Sequence, residues 1–362
     1  MKNPNLTMMN ELEVLRGHIS QLALVSESEA PVISAYFDLC QPADALRSRL
    51  NEWATAARTT FPSGQRRAFD ESRHEIEHAV LKDWPESCRS LAVFARSGST
   101  PILRVMPFSA TLDTHFQASP LPSIFPLVQL KDRFHRFVVV IATDENSRIF
   151  EVTLGAVSED ILTIRPEFGS RLGRDWGREH FHQKKRESDR LFHRDQVTII
   201  TNLMSRRGHN HLILAGNPRH VAGLRDALPK HIATRLVGEL YKMPSGGDCS
   251  VVLEQAVATF IEAERAESHD TVTRLHEQVC REALAVVGVA RSRDAILGGY
   301  AAELVISEEL TVVDREDLVR LATASDLPIE VCEGDELLAT HGGVGCLLRY
   351  RPDFLVTEAA KV

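Results

Sequence analysis

No run of residues in this sequence approaches the roughly 20 consecutive apolar side chains that a membrane-spanning helix needs, so a helical bilayer span is not expected. The first residues, MKNPNLTMMNELEVL, hold no apolar core long enough for a secretory signal, and a cytoplasmic protein is expected. The six cysteines, Cys40, Cys88, Cys249, Cys280, Cys332 and Cys346, form no CxxC pair. That argues against a zinc site and against a disulfide framework, leaving buried, reduced thiols as the expectation. No Gly-Lys-Ser/Thr follows the glycines at 342, 343 and 345, so P-loop phosphate chemistry is excluded and a tight turn is expected there. No exact repeat or low-complexity tract occurs. Neither a cofactor nor a metal is expected.

What is present is ordinary globular material: 362 residues, 43% hydrophobic and 25% charged, enough for two or three small cores. The formal charge of −8 argues at first against a nucleic-acid partner. Its distribution is more informative. Residues 1–130 carry 12 basic and 14 acidic side chains, 131–280 carry 22 and 21, and 281–362 carry 8 and 15. Any contact with phosphate must therefore come from local basic clusters before the acidic last third.

Residues 31–39 predict a strand, 45–58 and 66–81 two helices, and 90–98 with 102–108 a strand pair. Pro120, Pro122 and Pro126 then suggest a linker over 118–127. A hairpin follows across 135–157. Residues 165–194 are glycine-spaced, basic and aromatic without clean periodicity, and Leu191, Val197, Ile200 and Met204 mark a helix after them. Strands at 211–217 and 233–240 and a long helix over 249–285 complete a mostly parallel sheet. The last segment reads as helix, glycine turn and strand, a helix over DREDLVRLATASD, the strand PIEVCEG, and GGVGCLLRY feeding a final strand. The expected fold is three-domain α/β: an N-terminal α/β domain (1–128), a middle domain (129–269) and a compact C-terminal α/β sandwich (270–362).

Two stretches carry a family resemblance. AILGGYAAELVISEEL with ELLATHGGVGCLLRY, in which Gly342, Gly343, Gly345, Leu348, Arg349 and Tyr350 occupy the ending, resembles the last domain of release factors and Pelota. The VVVIATDENSRIF hairpin, the Gly/Arg-rich segment, the long helix and HLILAGN resemble that family's middle domain. The chain is thus identified as a bacterial member of the archaeo-eukaryotic release factor and Pelota superfamily, similar in design to Balon-type ribosome hibernation factors. The resemblance implies an RNase H-like middle domain reaching the peptidyl transferase centre and a first domain on the decoding-centre side. It implies the ribosome as partner, through the rRNA of the A site and peptidyl transferase centre. It also implies a translational GTPase such as elongation factor Tu, and a monomer off the ribosome.

The departures are as telling. The Gly-Gly-Gln tripeptide that release factors carry after the opening hairpin is absent; the matching stretch is RLGRDWGREHFHQKKRESDRLFHR, 171–194, whose nearest glutamine, Gln183, follows His182. No N-I-K-S stretch for stop-codon reading occurs in 1–130. An enzyme is not expected. The stretch carries eight basic and four acidic side chains. Arg171, Arg174, Arg178, Lys184, Lys185, Arg186, Arg190 and Arg194 suit phosphate, and Trp176, His180, Phe181, His182 and Gln183 offer stacking and hydrogen bonding to unpaired bases. The bland alternative is a solvated charged loop running into an amphipathic helix. Phe192 is expected in the core. His180-x-His182 and His209-x-His211 read as polar loop histidines, not metal ligands. Glu308, Glu309, Asp335 and Glu336 suggest a protein-docking or solubilising face. The expected function is a ribosome-binding factor that occupies the vacant A site in hibernation without releasing peptide. The alternatives are rescue by peptidyl-tRNA hydrolysis through His182-Gln183, and an RNA nuclease built on Asp144, which otherwise reads as a turn residue.

Overall fold

The computed structural model describes residues 12–133, 136–144, 146–154, 156–164, 178–242 and 248–350. In chain order the first stretch gives α1 (Leu12–Ala23), β1 (Val32–Asp38), α2 (Ala43–Thr60), α3 (Ser63–Val80), β2 (Ser90–Arg96), β3 (Ile102–Phe108), β4 (His115–Ser119) and α4 (Phe125–Arg133). The middle stretch gives β5 (Phe137–Ala142), β6 (Asn146–Thr153), β7 (Ala156–Ile164), α5 (Arg178–Arg207), β8 (His211–Gly216), α6 (Pro218–Ala227), α7 (Lys230–Ala233), β9 (Leu236–Leu240) and α8 (Ser250–Cys280). The last gives β10 (Ala285–Val287), α9 (Val289–Leu297), β11 (Ala301–Ser307), α10 (Val312–Ala324), β12 (Ile329–Cys332), α11 (Glu336–Thr340) and β13 (Val344–Leu348). The fold is mixed α/β, with three sheets among the described residues, one from each stretch. The chain divides into two compact units. One joins Met1–Phe134 to Arg265–Val362, and the other is His135–Glu264.

The first unit holds two sheets. The antiparallel sheet β3-β2-β1-β4 has β1 and β2 at its centre, and both read as near-continuous apolar runs because both of their faces are covered. Leu46, Leu50 and Ala54 of α2, spaced four apart, form one apolar stripe. They pack with Phe69 and Ile76 of α3 against Ile33, Phe37, Leu91 and Val93. The second sheet runs β10-β13-β11-β12, with only β11 and β12 parallel. Gly342 and Gly343 take φ of 78° and 75° before β13, the left-handed turn that Gly tolerates best.

The stretch expected as a linker is ordered. β4 extends to Ser119, and Pro126 sits at the second position of α4, where a missing N–H breaks no helical bond. Its start is sealed from 190 residues away in sequence. Buried Glu316 of α10 accepts from Ser123 Oγ–H at 2.5 Å, Ile124 N–H at 2.8 Å and Phe125 N–H at 3.2 Å. Arg320, one turn later, donates to the carbonyls of Leu22 and Ala23 at the end of α1 and to that of Pro122. Further along α4, Asp132 accepts the Val331 N–H of edge strand β12 at 2.7 Å, and Arg133 pairs with Glu333. The sheets of the first and last stretches are therefore joined by buried polar contacts into one unit.

In the second unit β5, β6 and β7 form an antiparallel meander, and β8 and β9 add parallel to β5, in the order β7-β6-β5-β8-β9. Numbered within the unit this is 3-2-1-4-5, the RNase H-like arrangement. One face carries Val138, Val140, Leu212 and Leu214 against Val197, Ile200 and Met204 of α5 and Val221 and Leu224 of α6. The other carries Phe137, Val139 and Ile213 against Val252, Ala256 and Phe260 of α8. Phe137 and Phe260 stack with centroids 4.3 Å apart. Gly216 ends β8 at φ 114°, and a Cβ there would lie 2.1 Å from the Ala142 carbonyl oxygen, so only glycine fits.

Candidate functional site

Helix α5 is the element on which the basic stretch falls. Its 30 residues correspond to about 45 Å, against about 20 Å for the six-residue strand β8. The α5 residues in the main core cluster begin at Val197, with Phe192 also buried before them. Among the earlier residues, Gln183, Arg186, Glu187, Arg190 and Arg194 are exposed, while Asp189, Phe192 and His193 turn inward. Phe192 is in the core as expected.

The expectation of a loop across 171–194 is corrected from residue 178 onward. No Gly or Pro interrupts Arg178–Arg207, and Arg, Lys, Gln and Glu are good helix formers, so the helix starts about five turns before Val197. Arg178, His180, Phe181, His182, Lys184 and Lys185 lie on its backbone. Arg171, Arg174 and Trp176 lie outside the described residues. Gln183 falls past the first four helical residues, so its backbone N–H belongs to the helical ladder and is not presented on a loop.

At the carboxyl ends of β5 and β8, where α/β sheets commonly place their sites, a polar array gathers that sequence reading missed. Asp144 Oδ1 lies 3.0 Å from His220 Nε2, and His220 Nδ1 lies 3.3 Å from His193 Nε2. An ionised carboxylate only accepts, so His220 donates from Nε2 and, when neutral, accepts at Nδ1 from His193. Asn217 caps α6 through its side-chain oxygen and donates to Asp144. Arg219 donates to Asp189 of α5 at 3.0 Å. Gly223 makes the room: a Cβ there would sit 2.3 Å from His193 Cε1. The array ties Asp144, just after β5, to α5 and α6. Among the described residues Asp144 belongs to no group of three metal-ligating side chains. The signal for His220 was available in principle, since NPRH directly follows a strand; His193 was hidden on a helix face.

Of the two histidines read as polar loop residues, His209 does lie in the loop between α5 and β8, but buried, and His211 lies on a strand. His209 is fully buried, with Nε2 2.9 Å from Glu151 Oε1. Burial pushes its imidazole below the usual value, against the opposite pull of Glu151. His211 opens β8 and faces Glu264 at 3.4 Å. Of the acidic residues assigned to a docking face, Glu308 pairs with Gln129, and Asp335 caps α11 and pairs with His269. Both work inside the unit, so only Glu309 and Glu336 stand exposed.

The second unit, a meander followed by a long helix and two parallel strands, has the element order that the resemblance to the release factor and Pelota superfamily leads one to expect. More narrowly, residues 122–260 match the model of bacterial archaeo-eukaryotic release factor family 10. No curated protein matches the sequence. Among solved structures the chain is similar to S. cerevisiae Dom34, a translation termination-like factor, at 11% identity and a TM-score of 0.45, covering 74% of this chain and 82% of that one. It is similar to archaeal Pelota in a model of ribosome-bound archaeal Pelota and ABCE1, at 15% identity, a TM-score of 0.44 and coverage of 95% and 96%. For the archaeal termination factor aRF1 the values are 14%, 0.30, 94% and 98%. No helix among the described residues is long and apolar enough to cross a membrane.

Proposed function

We propose that this protein binds the ribosome as a translation factor, occupying the vacant A site and peptidyl transferase centre during hibernation, without releasing peptide. The observation that carries this is the basic N-terminal half of α5, which lies within the residues matched by the family model and in the domain that the resemblance assigns to the peptidyl transferase centre. Exposed Arg186, Arg190 and Arg194 recur every four residues along it and suit a phosphate-rich surface. The Gly-Gly-Gln tripeptide is missing, and Gln183 lies on regular helix, which favours occupation over hydrolysis. A GTPase partner such as elongation factor Tu and a Balon-type role belong to the same proposal.

The test is cosedimentation with vacant ribosomes across a salt series. Neutralised phosphates release counterions, with a slope of roughly 0.7–0.9 per contact in log–log form. The triple reversal Arg186→Glu, Arg190→Glu, Arg194→Glu should lower the slope by about 2–3. A wild-type chain that fails to cosediment at low salt sinks the proposal. A parallel peptidyl-tRNA release assay separates it from rescue: robust hydrolysis lost in Gln183→Ala would establish rescue instead.

A further inference from the structure

Away from α5, in the unit that contains the last stretch, one cysteine stands apart from the other five. Cys280 closes α8 and is exposed. Its Sγ lies 3.4 Å from Nε2 of His276, one helical turn earlier on the same face. Nδ1 of His276 in turn lies 2.8 Å from Nε2 of His341, the residue that follows α11. Two proton arrangements suit a neutral trio, related by reversing both hydrogen bonds. In the one that makes His276 the base, the thiol donates to His276 Nε2, and His276 donates from Nδ1 to His341 Nε2. Nucleophile, base and orienting group thus follow in order, the pattern of an activated nucleophile.

The other thiols lack this arrangement. Cys88, Cys249, Cys332 and Cys346 are buried. Cys40 is exposed but sits beside the Asp38 carboxylate, which discourages a thiolate. Glu277, on the same turn, is engaged by Arg281 at 3.3 Å.

We infer that Cys280, paired with His276 and backed by His341, is a peroxide-reactive thiol whose substrate is hydrogen peroxide or a small hydroperoxide. The thiol proton passes to His276 Nε2, and the sulfur attacks one peroxide oxygen. The O–O bond breaks, and the leaving hydroxide takes the proton back from His276. One thiol and one hydrogen peroxide give one sulfenic acid and one water, and the sulfenic acid is reversible by thiols.

The experiment treats the full chain, mixed with an unstructured peptide carrying one cysteine, with hydrogen peroxide at pH 7, traps sulfenic acid with dimedone, and quantifies Cys280 and the reference peptide by mass spectrometry. The peptide is the reference for an exposed thiol without a base, because Cys40 is held back by Asp38. An ordinary thiol is only about 3% ionised at pH 7, so activation has a ceiling of roughly thirtyfold. Cys280 should react at least about tenfold faster than the peptide under that ceiling. His276→Gln should bring it down to the rate of the peptide, and His341→Gln to an intermediate rate, with the thermal melt of each variant checked for folding. Should His276→Gln unfold the chain, the wild-type ratio of Cys280 to the peptide decides alone. Equal wild-type rates, or an unchanged rate in folded His276→Gln, overturn the inference.

Discussion

Replacing Glu316 with alanine strips three hydrogen bonds from the start of α4 at once. The Ser123 hydroxyl and the Ile124 and Phe125 amides all donate to this one carboxylate, at 2.5, 2.8 and 3.2 Å, in a site where Glu316 is 9% exposed and Ser123 2%. Each buried donor left without an acceptor costs about 1–3 kcal/mol. Water entering the vacated space offsets part of that sum, so a net cost of about 3–5 kcal/mol is expected, the usual range for breaking a buried charged network. Glu316→Gln keeps one acceptor oxygen and should cost about half as much. Native-state hydrogen exchange reads the effect locally. In Glu316→Ala the protection of the Ile124 and Phe125 amides should fall by roughly 150-fold or more, since each 1.4 kcal/mol is tenfold. A fall of less than tenfold would mean that Glu316 does not hold α4, and the account of the sealed stretch would be wrong.

Other outcomes follow from the second unit. His209 has a lowered imidazole pKa in the fold, so the neutral form is favoured there and the unfolded chain takes up the proton first. Its stabilising effect is complete above the ordinary value near 6.5 and is lost as pH falls through that value, with a slope of at most about 1.4 kcal/mol per pH unit. Urea unfolding at pH 7 and pH 5.5 should show this loss, and an unchanged pH dependence in His209→Gln would refute it. Gly216→Ala forces a Cβ to within 2.1 Å of the Ala142 carbonyl oxygen at a positive φ, and should cost about 3 kcal/mol or more or prevent folding. A melting temperature within a degree or two of wild type would show that the β5–β8 approach is looser than described.

The central elements were legible because their patterns are long and local. The strands around Val139 and Ile213 read as buried runs, and the α2 stripe at Leu46, Leu50 and Ala54 reads at helical spacing. What escaped was short or non-local. β10 spans three residues, Ala285–Val287, at a sheet edge, and its residues also suit a helix. β4 and β7 are edge strands with exposed or half-exposed positions. The ordering of 120–126 depends on Glu316 and Arg320, far along the chain, so of the prolines that locally signal a linker two lie in the pinned segment before α4 and Pro126 lies in its first turn. The links from His220 to Asp144 and to His193 likewise span 76 and 27 residues, distances at which periodicity carries no signal.

The separation between Ser123 and Glu316 sets a timetable as well as a fold. The donors at the start of α4 emerge from synthesis 193 residues before the carboxylate that satisfies them. At bacterial or slower elongation rates of about 5–20 residues per second, that interval is roughly 10–40 s. The β1–β4 sheet has its own core and can form early, whereas α4 and the end of α1 must wait, with their polar groups in water, until α10 arrives. The second unit, continuous in sequence, is complete in the meantime. A nascent chain stalled before residue 316 therefore presents one finished unit and one half-built one, and the unfinished segment around Ser119–Phe125 is where a protease or chaperone would find it first.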